Sequence, residues 1–212
     1  MIGNDIVDLA VARRESNWQR PRYLNKLFTA TEQALIRAAP EAERQVWLLW
    51  ACKEAAYKAW STETSRRVFA PKQLRVVAWQ QQAVGQFTAR LATPRRTYCV
   101  QACATTDYVR ARTLVAPLLP DWQATFYYPE ASTEQVRQFI RCALRNACTQ
   151  HFHWQGAELS IRSNTLGRPI LYHQGKPTPV YLSWAHHGAW AEAMISRGAR
   201  LRSPLGCFNP ID

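Results

Sequence analysis

Trp50-Ala51-Cys52-Lys53-Glu54-Ala55-Ala56-Tyr57-Lys58 reads as the middle of a helix that is apolar nearly all the way round. The surrounding stretch, residues 41–60, adds Val46, Trp47, Leu48, Leu49 and Ala59 and leaves little polar face. Such a helix is a buried one. Glu54 and Lys58 nevertheless stand at i and i+4, on the face that carries Trp47, Trp50 and Ala51. A charge taken into such a place costs several kcal/mol unless it is paired or holds a metal. An internal Glu54–Lys58 ion pair is one reading and a functional site is the other. Asp5 favours the site: it is a second acid on an apolar segment, with Ile2, Ile6 and Val7 around it. Two buried carboxylates from different elements repel each other unless a cation lies between them. Carboxylate oxygen donors suit Mg²⁺ rather than Zn²⁺. Magnesium held by one or two carboxylates completes its shell with waters and substrate phosphates, which points to phosphate chemistry.

Outward from that helix, residues 1–7 predict a short buried strand. Thr29-Ala30-Thr31-Glu32 is a capping box and predicts a helix over 30–38, ending before Pro40. Residues 74–79, 84–91 and 98–103 predict three strands of an antiparallel meander. Up to about Thr106 the order is thus β-α-α-β-β-β. Residues 115–129 form a connector rich in Pro and aromatics, without Lys or Arg. Ser132-Thr133-Glu134-Gln135 is a second capping box, and Val136, Phe139, Ile140, Ala143, Leu144, Ala147 and Cys148 follow as an amphipathic stripe. Strands are predicted over 159–163, 170–173, 180–185 and 191–196. The expected fold class is α+β: two pseudo-symmetric α/β subdomains, helices packed on small antiparallel sheets. Their expected limits are 1–114 and 115–212, with a site at the interface. The tail beyond Gly198 is expected to be a mobile or docking end.

The chain has 212 residues, 47% of them apolar, enough for a substantial core. Its 27 basic residues, 22 Arg and 5 Lys, against 15 acidic give a net charge of +12. That excess calls for acidic company, and the preference for Arg suits phosphate or carboxylate recognition. No apolar run approaches the roughly 18 residues of a membrane helix. The opening Met1-Ile2-Gly3-Asn4-Asp5 does not read as a signal peptide. Six Cys without a C-x-x-C read as reduced thiols. The expected location is cytoplasmic. Three further features carry candidate chemistry. Gly167-Arg168-Pro169 presents a guanidinium from a tight turn heading a strand, and His186, in Ser183-Trp184-Ala185-His186-His187-Gly188, ends a strand before a glycine turn. Arg137, Arg141 and Arg145 repeat at i, i+4 and i+8 as a basic helix edge, either a solvated flank or a contact for an acidic ligand.

Together these motifs resemble the 4′-phosphopantetheinyl transferase superfamily. The resemblance rests on Gly3-Asn4-Asp5-Ile6, on Trp50 to Lys58, on Gly167-Arg168-Pro169, and on Ser183-Trp184-Ala185-His186. It implies an enzyme that binds coenzyme A and Mg²⁺ (Mn²⁺ is also compatible). Such an enzyme moves the phosphopantetheine arm onto a serine of an acidic apo acyl or peptidyl carrier protein, releasing 3′,5′-ADP. By match, Asp5 and Glu54 would hold the metal and Glu54 would take the serine proton. Lys58 would neutralise the transferred phosphate. Arg168 and His186 would hold coenzyme phosphates, with Lys53 and Arg137 as further coenzyme contacts. Two positions depart from the family pattern: Val7 stands where many members have a second acid, and Ala185 where they have a serine. Asp8 cannot replace the missing acid, because strand alternation turns it away from Asp5. The module order also differs from that of most two-module members, and the chain reads as two modules in swapped order rather than one with a long insertion. One composite site per chain implies a monomer, with neither nucleic acid nor membrane as partner. Two other classes compete. A basic nucleic-acid-binding protein would fit the charge, the nine Trp, Arg66-Arg67 and Arg95-Arg96. A non-catalytic scaffold for coenzyme A or a carrier protein is argued against by Asp5, Glu54 and Lys58.

Overall fold

The computed structural model describes residues 1–93, 95–114 and 120–197. The apolar helix, α4 (Ala42–Thr64), is the centre of the first half. Val46, Trp47, Leu48, Leu49, Ala51, Cys52, Ala55, Ala56 and Ala59 are all buried, as a helix without a polar face requires. They pack on one face of a five-stranded antiparallel sheet with the order β1-β5-β4-β3-β2. Its strands are β1 (Gly3–Asp8), β2 (Arg75–Ala83), β3 (Gln86–Ala92), β4 (Thr97–Ala104) and β5 (Tyr108–Leu114). Between β1 and α4 lie α1 (Leu9–Glu15), α2 (Tyr23–Leu27) and α3 (Ala30–Ala38). The Thr29–Glu32 capping box forms with both of its hydrogen bonds and starts α3.

Gly3 determines how closely β1 can approach α4. A Cβ at this position would overlap the Ala55 carbonyl and stand 2.8 Å from Ala59 N. With only hydrogen there, the strand lies directly on the helix, and alternation sends Gly3, Asp5 and Val7 toward α4. Asn4, Ile6 and Asp8 point to the other face, where the second half packs.

The second half repeats the plan. Its sheet runs β6-β10-β9-β8-β7, which is the first order shifted by five strands. Its strands are β6 (Trp122–Tyr127), β7 (Leu159–Ser163), β8 (Pro169–His173), β9 (Lys176–His187) and β10 (Trp190–Arg197). A long helix, α5 (Thr133–Phe152), stands between β6 and β7 as α4 stands between β1 and β2. The Ser132–Gln135 capping box opens α5, and Val136, Ile140, Leu144, Ala147 and Cys148 bury the predicted stripe against the sheet. The fold is therefore α+β, two antiparallel sheets each carrying a helix.

The halves meet through the outer face of β1 and β5. Asn4 Nδ2 donates to Glu192 Oε2 at 3.2 Å, and Ser183 Oγ donates to Asn4 Oδ1 at 2.6 Å. Glu192 is fully buried on β10 and is paired with both Arg110 and Arg112. A buried carboxylate needs such partners, since an unpaired one would cost several kcal/mol. The Trp190 ring packs at a tilt against both Tyr108 and Tyr127, with centroids at 4.4 and 4.7 Å.

Several elements differ from expectation. The first meander has a further strand, β5, whose Arg110 and Arg112 imitate a solvent face but serve the buried junction. The connector at 115–129 contains β6, and the short helices α1 and α2 lie in what the sequence left blank. The tail beyond Gly198 and residues 115–119 lie outside the described residues. Among the described residues no helix is long and apolar enough to cross a membrane.

Candidate active site

The inward face of β1 and the middle of α4 bring Asp5, Glu54 and Lys58 together. Lys58 does not pair with Glu54 along the helix. Its ammonium donates to Asn4 O at 2.7 Å and to Asp5 Oδ1 at 3.1 Å, so it ties α4 to the edge of β1. Glu54 has no hydrogen bond or ion pair among the described residues. Burial, and then the charge of Asp5, push its carboxyl up to about 7, against the pull of Lys58. Asp5 is also held above the ordinary carboxylate range by burial, although Lys58 opposes the shift. One lysine thus compensates two acids incompletely.

Lys58 also stands on the wall of a cleft of about 530 Å³ between the C-terminal part of α4 and the strands β8 and β9. Among the described residues the cleft is lined by the cations Lys58, Arg67 and Arg168 and by no acid. Arg168 is delivered by a compact turn. Asn164 Oδ1 accepts from Leu166 N at 3.0 Å and Arg168 N at 2.9 Å, and Gly167 supplies the left-handed backbone, φ 74°, that this turn needs. From there Arg168 Nη2 crosses the cleft and donates to Ser61 Oγ on α4 at 2.8 Å. An acid-free cleft with three cations, beside a carboxylate pair, is chemically suited to a polyphosphate anion.

Lys58 and Arg168 line this cleft; Asp5 and Glu54 do not, and three other sequence candidates are placed elsewhere. Lys53 is a correction: expected among the coenzyme contacts, it is fully buried in the first core and does not line the cleft. All three ammonium protons are engaged there, with Glu32 Oε2, Pro71 O and Leu74 O each at 2.8 Å. Adjacent helix residues diverge by about 100°, so Lys53 and Glu54 face different surroundings. Arg137 is exposed on α5, loosely paired with Glu134 at 3.9 Å, and does not line the cleft. His186 shares a face of β9 with Leu182 and Trp184, the face under α5, and its Nε2 is buried without a partner among the described residues. It is His187 that turns toward β1, where Nδ1 accepts from Asp8 N at 3.0 Å. Strand parity carries the signal for that assignment: Ser183 and His187 are four apart and share a face.

The site also contains residues that sequence reasoning did not single out. Ser61 and Arg67 line the cleft, and Asn4, Ser183, Arg110, Arg112 and Glu192 hold its two sides together. The i+3 spacing of Ser61 from Lys58 was the available signal for the first. Nothing local marks Glu192, whose arginine partners lie 80 and 82 residues away.

A divalent cation would have two carboxylate donors here, one from β1 and one from α4. Val7, the place of the additional family acid, is buried and apolar on the same face as Asp5. Among the described residues no group of three or more His, Cys, Asp or Glu gathers. Two hard oxygen donors, both destabilised as anions, fit a Mg²⁺ that takes its remaining ligands from water and substrate.

No curated protein matches the chain. Among solved structures, the holo-[acyl-carrier-protein] synthase of Thermotoga maritima aligns with it at 10% identity, a TM-score of 0.39 and 83% coverage of each chain. The family comparison is more direct: the model of the 4′-phosphopantetheinyl transferase superfamily matches residues 1–116, more than half of the chain and the part that holds Asp5, Glu54 and Lys58. The chain belongs to the 4′-phosphopantetheinyl transferase superfamily.

Proposed function

We propose that this protein transfers the 4′-phosphopantetheine group of coenzyme A to a serine of an apo carrier protein, releasing 3′,5′-ADP. The observation that carries the proposal is Glu54, unpartnered among the described residues and held near pKa 7 beside Asp5 and Lys58, the lysine that also lines a cationic cleft. Arg168, Arg67 and Lys58 bind and orient the coenzyme phosphates. The serine oxygen attacks the phosphorus that carries the pantetheine arm, a P–O bond forms, and the P–O bond to 3′,5′-ADP breaks. Glu54 takes the serine proton, for which a pKa near neutrality is the favourable value. Lys58 stabilises charge on the transferred phosphoryl group, so that catalysis is mainly positioning and charge neutralisation. Magnesium held by Asp5 and Glu54 would neutralise pyrophosphate charge and relieve the repulsion between the two acids. The partner is an acidic carrier domain, which the +12 charge of the chain complements. We read the two halves, 1–114 and 115–212, as modules that build one site within a single chain.

The test is incubation with Mg²⁺, coenzyme A and a panel of fatty-acid, polyketide and peptide-synthetase apo carrier proteins. The expected result is the mass increase of one phosphopantetheine on the carrier serine. No transfer to any of them would overturn the assignment.

A further inference from the structure

Ser61 is a buried hydroxyl on α4, one turn beyond Lys58, and nothing in the reaction as described uses it. It nevertheless makes the shorter of the two hydrogen bonds by which Arg168 crosses the cleft. Arg168 Nη2 donates to Ser61 Oγ at 2.8 Å and, at the longer distance of 3.5 Å, to Arg66 O, and Ser61 Oγ donates to the same carbonyl at 2.6 Å. Ser65 ends α4 in the left-handed conformation, φ 54°, and so turns the Arg66 carbonyl back toward the helix. The hydroxyl thereby has one acceptor to give its proton to and one cation to receive from, and its orientation is fixed.

The consequence for Arg168 is specific. The Arg168 backbone is held by the Asn164 turn in the second half, while the tip of its side chain is held by α4 in the first half. Its Nε and Nη1 have no protein partner among the described residues. A guanidinium fixed at one corner keeps its remaining donors aimed into the cleft, without the rotamer search of a free arginine. No carboxylate pairs with Arg168, so an incoming phosphate meets no internal competitor among the described residues. Arg66, whose carbonyl closes the chain, is followed directly by cleft-lining Arg67.

We propose that Ser61 is a positioning residue that fixes Arg168 across the cleft for the coenzyme's phosphate. This rests on the phosphopantetheinyl-transfer reading and adds to it a residue outside the motifs that suggested it. The effect of Ser61 runs through Arg168.

The test measures coenzyme A binding by calorimetry, and KM and kcat for transfer, in wild type, Ser61→Ala, Ser61→Thr, Arg168→Ala and the Ser61→Ala/Arg168→Ala double variant. Loss of a hydrogen bond to a charged group predicts about tenfold weaker binding in Ser61→Ala, expressed in KM more than in kcat. Ser61→Thr keeps the hydroxyl and is expected to restore binding. In the double variant the losses should fall short of multiplying, because both act through one contact. If Arg168→Ala weakens binding while Ser61→Ala does not, or if the two losses multiply in full, Ser61 has no positioning role. If wild type transfers the group normally and all variants bind alike, Arg168 and Ser61 are both misassigned while the enzyme reading stands. Absence of both coenzyme binding and transfer in wild type removes the reading itself, and the role of Ser61 with it.

Discussion

Helix α4 carries two lysines that each meet an acid, and the two meetings have different characters. Lys53 pairs with Glu32 in complete burial. Both oxygens of Glu32 are engaged as well, accepting from Thr29 N and Val76 N at 2.8 Å. Lys58, five residues on, shares itself between Asp5 and a backbone carbonyl and leaves Glu54 without a partner. The first cluster is saturated and holds α3, α4 and β2 together. The second is deficient in positive charge, which is costly for folding and useful for binding a cation and moving a proton. Burial alone therefore does not identify a functional acid. The count of its remaining partners does.

The sharpest way to break this comparison is to neutralise one acid from each cluster. Glu54→Gln should lower transfer by about 10²–10⁴-fold, the usual contribution of a general base, while the fold persists. Asp5→Asn should do the same, and near-normal rates in either variant would disprove the proposed site. Glu32→Gln should act in the opposite domain of measurement. Removing one partner of a buried pair costs about 3–5 kcal/mol, read as a lower midpoint in denaturant unfolding. If Glu32→Gln unfolded at the wild-type midpoint, the saturated cluster would not be structural.

A smaller effect tests how the second cluster is assembled. Gly3→Ala introduces a methyl where the Ala55 carbonyl already stands, so β1 must move away from α4. Overpacking of that kind costs about 1–3 kcal/mol. It also shifts Asp5 relative to Glu54, so activity should fall by more than the loss of folded protein explains. Equal losses in folded fraction and in rate would show that the close approach matters only to stability.

The division between legible and illegible follows the range of the interactions. Helices α3 and α5 could be placed because their capping boxes are complete within four residues. The burial of α4 followed from its composition, and Asp5 and Glu54 were conspicuous as acids on apolar elements. The partner of Lys58 was misleading, because the i,i+4 rule proposes Glu54 whereas the folded chain offers Asp5 from a strand more than fifty residues earlier. Arg110 and Arg112 concealed β5 for the same reason, since their buried acid, Glu192, lies in the other half. Lys53 and His186 belong to recognisable motifs, yet the face that each residue occupies depends on packing that the motif does not contain.

The last and smallest expected effect concerns the pH dependence of stability in the metal-free protein. Glu54 binds its proton more tightly when folded, with a pKa of about 7, than in an unfolded chain, where an ordinary glutamate lies near 4.5. Its favourable contribution is therefore complete below about pH 4.5 and is lost as pH rises through about 7. Partial solvent contact screens the shift, so the measured change should be about 1–2 kcal/mol rather than the full linkage value. Glu54→Gln cannot titrate, and its melting temperature should gain on that of wild type across this interval and then run parallel above it. The raised pKa of Asp5 adds a fall of the same sign to both proteins, and because the two carboxylates interact the difference between the curves reports Glu54 together with its coupling to Asp5. Magnesium should close that gap by stabilising wild type more than the variant, and more at pH 8 than at pH 5, because the carboxylate must be ionised to bind it. Parallel curves throughout, with no selective gain from magnesium, would place Glu54 among the saturated acids and make the two clusters equivalent.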